Sequence, residues 1–373
     1  MKKRVIVCLI VCIAAVMSAT AQTAESYFTA GIEKAQKGLF KEAVDDFTKA
    51  IELNPKYSEA YSKRGNAKSD LGDKEGAIAD YTKAIEVNPQ YAAAYYNRGN
   101  TKFNLGDKNG AISDYTKSIE FNPQDADAYF QRGYVKNDIR DTKGAIADYT
   151  KAIELNPQYA DAYYSRGNTK SELGDNKSAI ADYTKAIEFN PQYAQAYYNR
   201  GFAKSALGDK EGAIADYTNA IELNPQYAKA CYNRGIDKSA LGDKYGAIAD
   251  YNKAIELNPQ FAEAYYSRGN ANNDLGDKNG AIADYNRALE LNSQYAAAYS
   301  NRGIAKFNLG DNNGAIADFT MAIEVNPQYA EAYFNRAMMY GQQGKITLSC
   351  ADLQKAKELG LKQAASMIEK HCK

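Results

Sequence analysis

The chain has 373 residues, 45% of them hydrophobic and 25% charged, with 31 Tyr, no Trp, five Cys and a single His. That balance describes a folded, water-compatible protein and excludes a disordered tail or a polytopic membrane protein. With His371 as the only histidine, chemistry that needs a histidine pair, a His-Cys dyad or a histidine-rich metal site has almost no raw material, so most enzyme classes are disfavoured.

The N-terminus reads as an address. Lys2, Lys3 and Arg4 precede an apolar run from Val5 to Met17, and Ala19, Thr20 and Ala21 supply the small residues of a cleavage site. This three-part pattern predicts a secretory signal peptide over residues 1–21, cut before Gln22. An uncleaved anchor needs about 20 consecutive apolar residues, more than this run contains. Cys8 and Cys12 lie too early to become a lipidated first residue. Removing the three leader cations from 46 basic residues leaves 43 against 46 acidic ones, a net charge of −3. A mildly acidic chain is not a nonspecific nucleic-acid binder. The expected mature protein is exported to a bacterial periplasm, cell surface or medium, and does not span the membrane.

From Ala24 onward the sequence repeats with a period of 34 residues. GAIADYTKAIE occurs from both Gly76 and Gly144, and Asn-Pro falls at 54–55, 88–89, 122–123, 156–157, 190–191, 224–225, 258–259 and 326–327. The units are 24–57, 58–91, 92–125, 126–159, 160–193, 194–227, 228–261, 262–295, 296–329 and 330–363, with no room for a separate catalytic domain. In the unit 194–227, Tyr197, Gly201 and Lys204 recur at helical spacing, as do Ala213, Tyr217, Ala220 and Ile221. Gly208 permits the left-handed end of a first helix, Asp209 caps a second, and Pro225 stops it. The small Gly201 and Ala220 allow close approach, with Tyr197 and Tyr217 filling the space around them. Neither helix buries its apolar stripe alone, so successive hairpins must stack.

An aromatic at unit position 4, Gly at 8 and 15, Ala at 20, Tyr at 24, Ala at 27 and Pro at 32 make this period similar to the tetratricopeptide repeat family. The resemblance covers nearly all of the chain after the leader. It implies an all-α fold, a right-handed superhelical α-solenoid of helix-turn-helix repeats. First helices would line a concave groove and second helices an outer wall. It also implies a non-enzymatic protein–protein interaction scaffold without a cofactor or metal.

The departures from the family pattern carry their own expectations. Position 7, commonly apolar, is Arg in nine units, position 11 is mostly Lys, and position 23 is Asp in all ten, from Asp46 to Asp352. A ladder of Arg-Asp pairs is one reading, with lysine stems on apolar surface and their ammonium groups in water. Simple solvation of each charge is the other. Arg140 replaces the helix-ending Gly, Ser293 replaces a Pro, and Cys231 replaces a packing Tyr as a small buried hydrophobe.

Residues 361–373 continue as a C-terminal capping helix, with Ala364, Ala365, Ile368 and Cys372 on one side. Cys350 and Cys372 come together in an antiparallel hairpin, which in an exported protein predicts a disulfide. A metal site with His371 lacks the usual ligand spacing.

Carried over from the family's groove, position 5 supplies the candidate ligand-binding rings Tyr96, Phe130, Tyr164, Tyr198, Tyr232 and Tyr266. Asn100 and Asn168 at position 9, with Asn66 and Asn270, offer amides to an extended backbone. Asp127 and Asp161 belong to ten acids at positions 2 and 13, against the single base Lys229. Such a groove suits an extended protein or peptide segment with Lys or Arg. The alternative reading of the rings is packing between neighbouring units. No unit has the Lys at position 5 that the family's carboxylate clamp wants. An exported carbohydrate-binding solenoid is the alternative function, since stacked tyrosines and amides also suit sugars.

Overall fold

The structure, a computed structural model, describes residues 23–372; the predicted leader lies outside them. The described residues hold 21 helices and no strand. First helices of 13 residues, such as Ala92–Asn104, alternate with second helices of 14, such as Lys108–Phe121. The chain divides into two compact units, one ending at Leu173 and the other beginning at Gly174. The fifth repeat gives Ala160–Glu172 to the first unit and Asn176–Phe189 to the second.

Local chemistry sets the turns. Gly106 ends a first helix at φ 87°, and the Asp107 carboxylate accepts the Gly110 N–H at 2.9 Å, capping the second. Arg140 occupies the same turn position at φ 68°, the one positive φ outside glycine among the described residues. That conformation costs a non-glycine residue roughly 1 kcal/mol or more. At the other end of the hairpin, Asn88 accepts the Gln90 N–H at 3.2 Å and closes the turn into the next repeat. Ser293 in place of Pro leaves this turn intact, because Asn292 still accepts the Gln294 N–H at 3.0 Å.

Within each compact unit the hairpins each close around one ring, with Leu353 in its place in the last. Tyr115 is fully buried, and a Cβ at Gly99 would lie 2.9 Å from its edge, so glycine is what lets the two helices meet. Burying such a ring contributes about 1.5–3 kcal/mol per repeat. The following first helix adds its tenth residue to the same cluster, as Val135 does beside Ala111 and Tyr115. Tyr217 fills this space in its own repeat as expected, but Tyr197 does not. It is only half-buried, and its ring carries the Arg200 guanidinium 5.5 Å from its centroid.

The Arg-Asp ladder is present within each unit, and it does more than pair charges. Arg98 sets its Nε and Nη2 on the two carboxylate oxygens of Asp114 at 2.9 and 2.7 Å, while Nη1 donates to Thr82 Oγ1 of the preceding repeat at 3.0 Å. Arg64, Arg132, Arg200, Arg234 and Arg336 repeat this arrangement, and Arg268 and Arg302 use Asn252 and Asn286 in place of Thr. Each arginine thus bridges two repeats with a planar fork that lysine lacks. The expectation that the position-11 ammonium groups reach water is corrected. Lys102 binds Asp114 at 2.8 Å, and Lys68, Lys136, Lys204, Lys238 and Lys306 do likewise with their own aspartates. The physical reason is that each aspartate is nearly buried, Asp114 to 3% exposure, and its Oδ2 keeps a lone pair beside the Arg98 Nε bond that a second cation can use.

The cap helix, Lys362–His371, packs Ala364 against Leu353 and Ala356, and Cys350 and Cys372 are joined as a disulfide with their Cα atoms 5.6 Å apart. Cys231 is buried and free, and burial pushes its thiol up, away from the reactive thiolate.

Candidate binding face of the first helices

The position-5 rings project from the first helices and are half-buried. Tyr96, Phe130 and Tyr164 belong to the first compact unit; Tyr198, Tyr232 and Tyr266 belong to the second. Tyr96 lies 5.9 Å from the buried Tyr115 ring. Tyr198 sits between Tyr217 at 5.8 Å and Tyr227 at 4.7 Å, and Tyr232 and Tyr266 are sandwiched alike by Tyr251 with Phe261 and by Tyr285 with Tyr295. Phe130 stacks on Tyr149 and Tyr159. Tyr96, Phe130, Tyr198, Tyr232 and Tyr266 pack against other rings and stay part-exposed, so packing does not use up the whole side chain. Burial raises the Tyr96, Tyr198 and Tyr232 hydroxyls above the ordinary tyrosine range, which keeps them protonated as donors.

The position-9 amides have a structural duty. Asn100 Oδ1 accepts the hydroxyl of the buried Tyr115 at 2.7 Å, as Asn66 does for Tyr81 and Asn270 for Tyr285. Position-6 amides of the following repeat then cross the seam, Asn233 donating to Tyr198 Oη at 3.0 Å and Asn301 to both Tyr266 Oη and Asn270 Oδ1. The sequence carries only part of this pairing: Ile32, Ile304 and Met338 at position 9 go with Phe47, Phe319 and Leu353 at position 24, which have no hydroxyl to satisfy, but Phe202 and Ile236 go with Tyr217 and Tyr251.

Between these groups each compact unit has a polar cavity on its own first helices. One of about 260 Å³ is lined by Asn66, Asn97, Asn100, Asn104 and the Tyr81 hydroxyl; another of about 400 Å³ by Asn270, Asn273, Asn301, Asp274 and Lys244. The charge on the face is less one-sided than residue counting suggests. Asp138 pairs with Lys108 and Asp274 with Lys244 across the seams, and Asp127 accepts the Tyr159 hydroxyl at 2.6 Å. Burial, then that bond to Asp127, holds the Tyr159 hydroxyl well above its usual range. Glu59, Asp161, Glu263 and Glu331 are exposed. Among the described residues no group of three or more His, Cys, Asp or Glu is placed to hold a metal ion.

Comparison with known proteins agrees with this architecture. A family model described as TPR repeat matches residues 65–106, 141–174, 167–208, 240–276 and 269–310, and models described as tetratricopeptide repeat match 92–125, 194–227, 296–329, 319–351 and 24–57. No curated protein matches the chain. Among solved structures, the C-terminal part of a TPR repeat-containing protein from Cytophaga hutchinsonii is 18% identical with a TM-score of 0.56, covering 64% of this chain and 98% of its own. The APC/C hetero-tetramer Cut9-Hcn1 is 15% identical with a TM-score of 0.50, covering 94% of this chain and 76% of its own. YrrB, described as a TPR protein with an unusual peptide-binding site, is 28% identical with a TM-score of 0.45, covering 49% of this chain and 95% of its own.

Proposed function

This chain belongs to the tetratricopeptide repeat family, and from that premise we propose that it is a non-enzymatic scaffold whose first-helix face takes an extended segment of a partner protein. The observation that carries this reading is the alternation, on that face, of half-buried rings with amide-lined cavities. Ring edges suit the apolar side chains of an extended segment, and the amides suit its backbone N–H and C=O groups. The exposed Glu59, Asp161, Glu263 and Glu331 favour segments carrying Lys or Arg.

The scaffold works outside the cytoplasm. The leader pattern supports this, as does the Cys350–Cys372 bridge, which persists in an oxidising compartment. No helix among the described residues is long and apolar enough to cross a membrane. The N-terminal residue of protein purified from its own host is expected to be Gln22; an intact Met1 refutes the export reading.

Fluorescence anisotropy tests the binding reading with two probes, a labelled Lys-containing peptide without secondary structure and a neutral oligosaccharide. The peptide is expected to bind, to weaken as salt rises, and to lose about tenfold in affinity, or roughly 1.4 kcal/mol, when Asp161, Glu263 and Glu331 are all changed to Lys. These carboxylates are exposed, so the variant keeps its fold. Salt-insensitive binding of the oligosaccharide with no binding of the peptide overturns the proposal in favour of a glycan-binding solenoid.

A further inference from the structure

The repeats show what fills the space at the end of each hairpin, and the last hairpin shows that space unfilled. The tenth residue of each first helix plugs a seat on the preceding second helix. Ala67 sits on Ala43 and Phe47, Val135 on Ala111 and Tyr115, and Met339 on Ala315 and Phe319. The final seat is formed by Ser349 and Leu353 on Ile346–Glu358. The cap helix Lys362–His371 enters in the same register, since its third residue, Ala364, is fully buried like Ala332 in the first helix Ala330–Gln342. It has 10 residues rather than 13, and its tenth residue is the exposed His371. A cavity of about 240 Å³ remains, walled by Met338, Gly341, Ile346, Leu353 and Met367 with His371 at the rim.

We propose that this cavity is a second interaction site, a socket for one aliphatic side chain carried on a helix of a partner protein. The occupant's chemistry is read from the apolar walls of the cavity and from the equivalent seats, where Ala, Val or Met plugs six of nine and Thr101, Thr169 and Asp237 the rest. Ile346, which lines the cavity and is 49% exposed, extends the apolar surface for the rest of that helix. A second copy stacked end to end is a poor occupant. Its first helix, Ala24–Gln36, carries Glu33 as its tenth residue and would push an unpaired carboxylate into an apolar hole. The Cys350–Cys372 bridge anchors the end of the helix that brings Met367 and His371 to the rim.

Methionine-methyl NMR on the disulfide-intact chain tests the socket, because Met338 and Met367 line it while Met321 is a surface control, 38% exposed. The probe is a synthetic peptide of residues 330–345, stapled between positions 331 and 335 to hold it helical and bearing Met339 as the plug. Saturable shifts at Met338 and Met367, with none at Met321, are expected. The peptide with Met339→Asp is expected to bind at least about tenfold more weakly. In the protein, Gly341→Phe is expected to abolish the shifts. A Cβ there meets only Ser349 Oγ at 3.5 Å, and Phe already stands at the corresponding places 103 and 307. The proposal is overturned if neither methyl shifts, if both peptides bind alike, or if the Gly341→Phe chain binds undiminished. A doubling of mass in the absence of peptide that Gly341→Phe removes also overturns it, by making a second copy the occupant.

Discussion

The seam between the second and third repeats and the seam between the sixth and seventh share one bridge and close differently around it. In the earlier seam Tyr81 donates to Asn66 at 2.8 Å, Thr101 fills the seat and donates to Asn97 O at 2.9 Å, and Arg98 lies over Tyr95. In the later seam Phe202 stands where Asn66 does, Cys231 where Tyr95 does, and Asp237 where Thr101 does. Arg234 still bridges Asp250 and Thr218. Asp237, however, is 1% exposed, takes Ser205 and Lys210 on one oxygen, and leaves Oδ2 with no partner, alone in this respect among the described side chains. A shared backbone therefore does not give equal seams. What differs is whether every buried polar group finds a partner.

The bridge itself should have the largest effect. Arg98→Ala strands Asp114 in a nearly buried site with only Lys102, and is expected to cost about 3 kcal/mol in urea unfolding. Arg98→Lys should recover little of it, since the fork is lost. A loss below about 1 kcal/mol for Arg98→Ala would place the bridge among ordinary surface pairs.

Next is Asp237. Asp237→Ala, the residue found at positions 67, 203, 271 and 305, is expected to stabilise the chain by about 1 kcal/mol, because an incompletely satisfied buried carboxylate is removed. Destabilisation on thermal unfolding would show that Ser205 and Lys210 more than offset its burial.

Alkaline pH acts on both seams. Burial comes first in holding the Tyr81 and Tyr217 hydroxyls above the ordinary range, and for Tyr217 the Asp237 charge adds to it. A tyrosine is neutral when protonated, so a raised folded value means the unfolded state releases its proton first. The stabilisation is complete below about pH 10 and falls as pH rises past it. Urea midpoints that stay level up to pH 9 and drop above pH 10 are expected; a midpoint that rises there contradicts this sign.

The smallest effect concerns the ring under the arginine. Cys231→Tyr restores the ring that Arg98 has in Tyr95, and is expected to gain about 0.5 kcal/mol. No gain in thermal stability would mean that the Cys231 site is too tightly closed to admit a ring.

Much of the fold was legible because the period, the turn residues and the stacking requirement all follow from local rules. The face was legible only in outline. Position-5 rings could be assigned to the first helices, where they are part-exposed, since a residue's place on a helix needs no partner to be located. The roles of Asn100 and Lys102 could not be read, because each depends on a group 12 to 15 residues away across a helix contact. For the arginines the Asp was read as a partner and the Thr was not: Asp114 and Thr82 lie 16 residues to either side of Arg98. A periodic Thr or Asn at position 25 was the available signal.

Hydrogen exchange of the native chain tests most directly the claim that polar closure, rather than backbone, decides how firmly a seam holds. The helix Ala228–Ala240, which carries Asp237, is expected to exchange faster than Ala92–Asn104, which carries Thr101, and Asp237→Ala should bring the two together. Equal or greater protection of Ala228–Ala240 in the unaltered chain would contradict it.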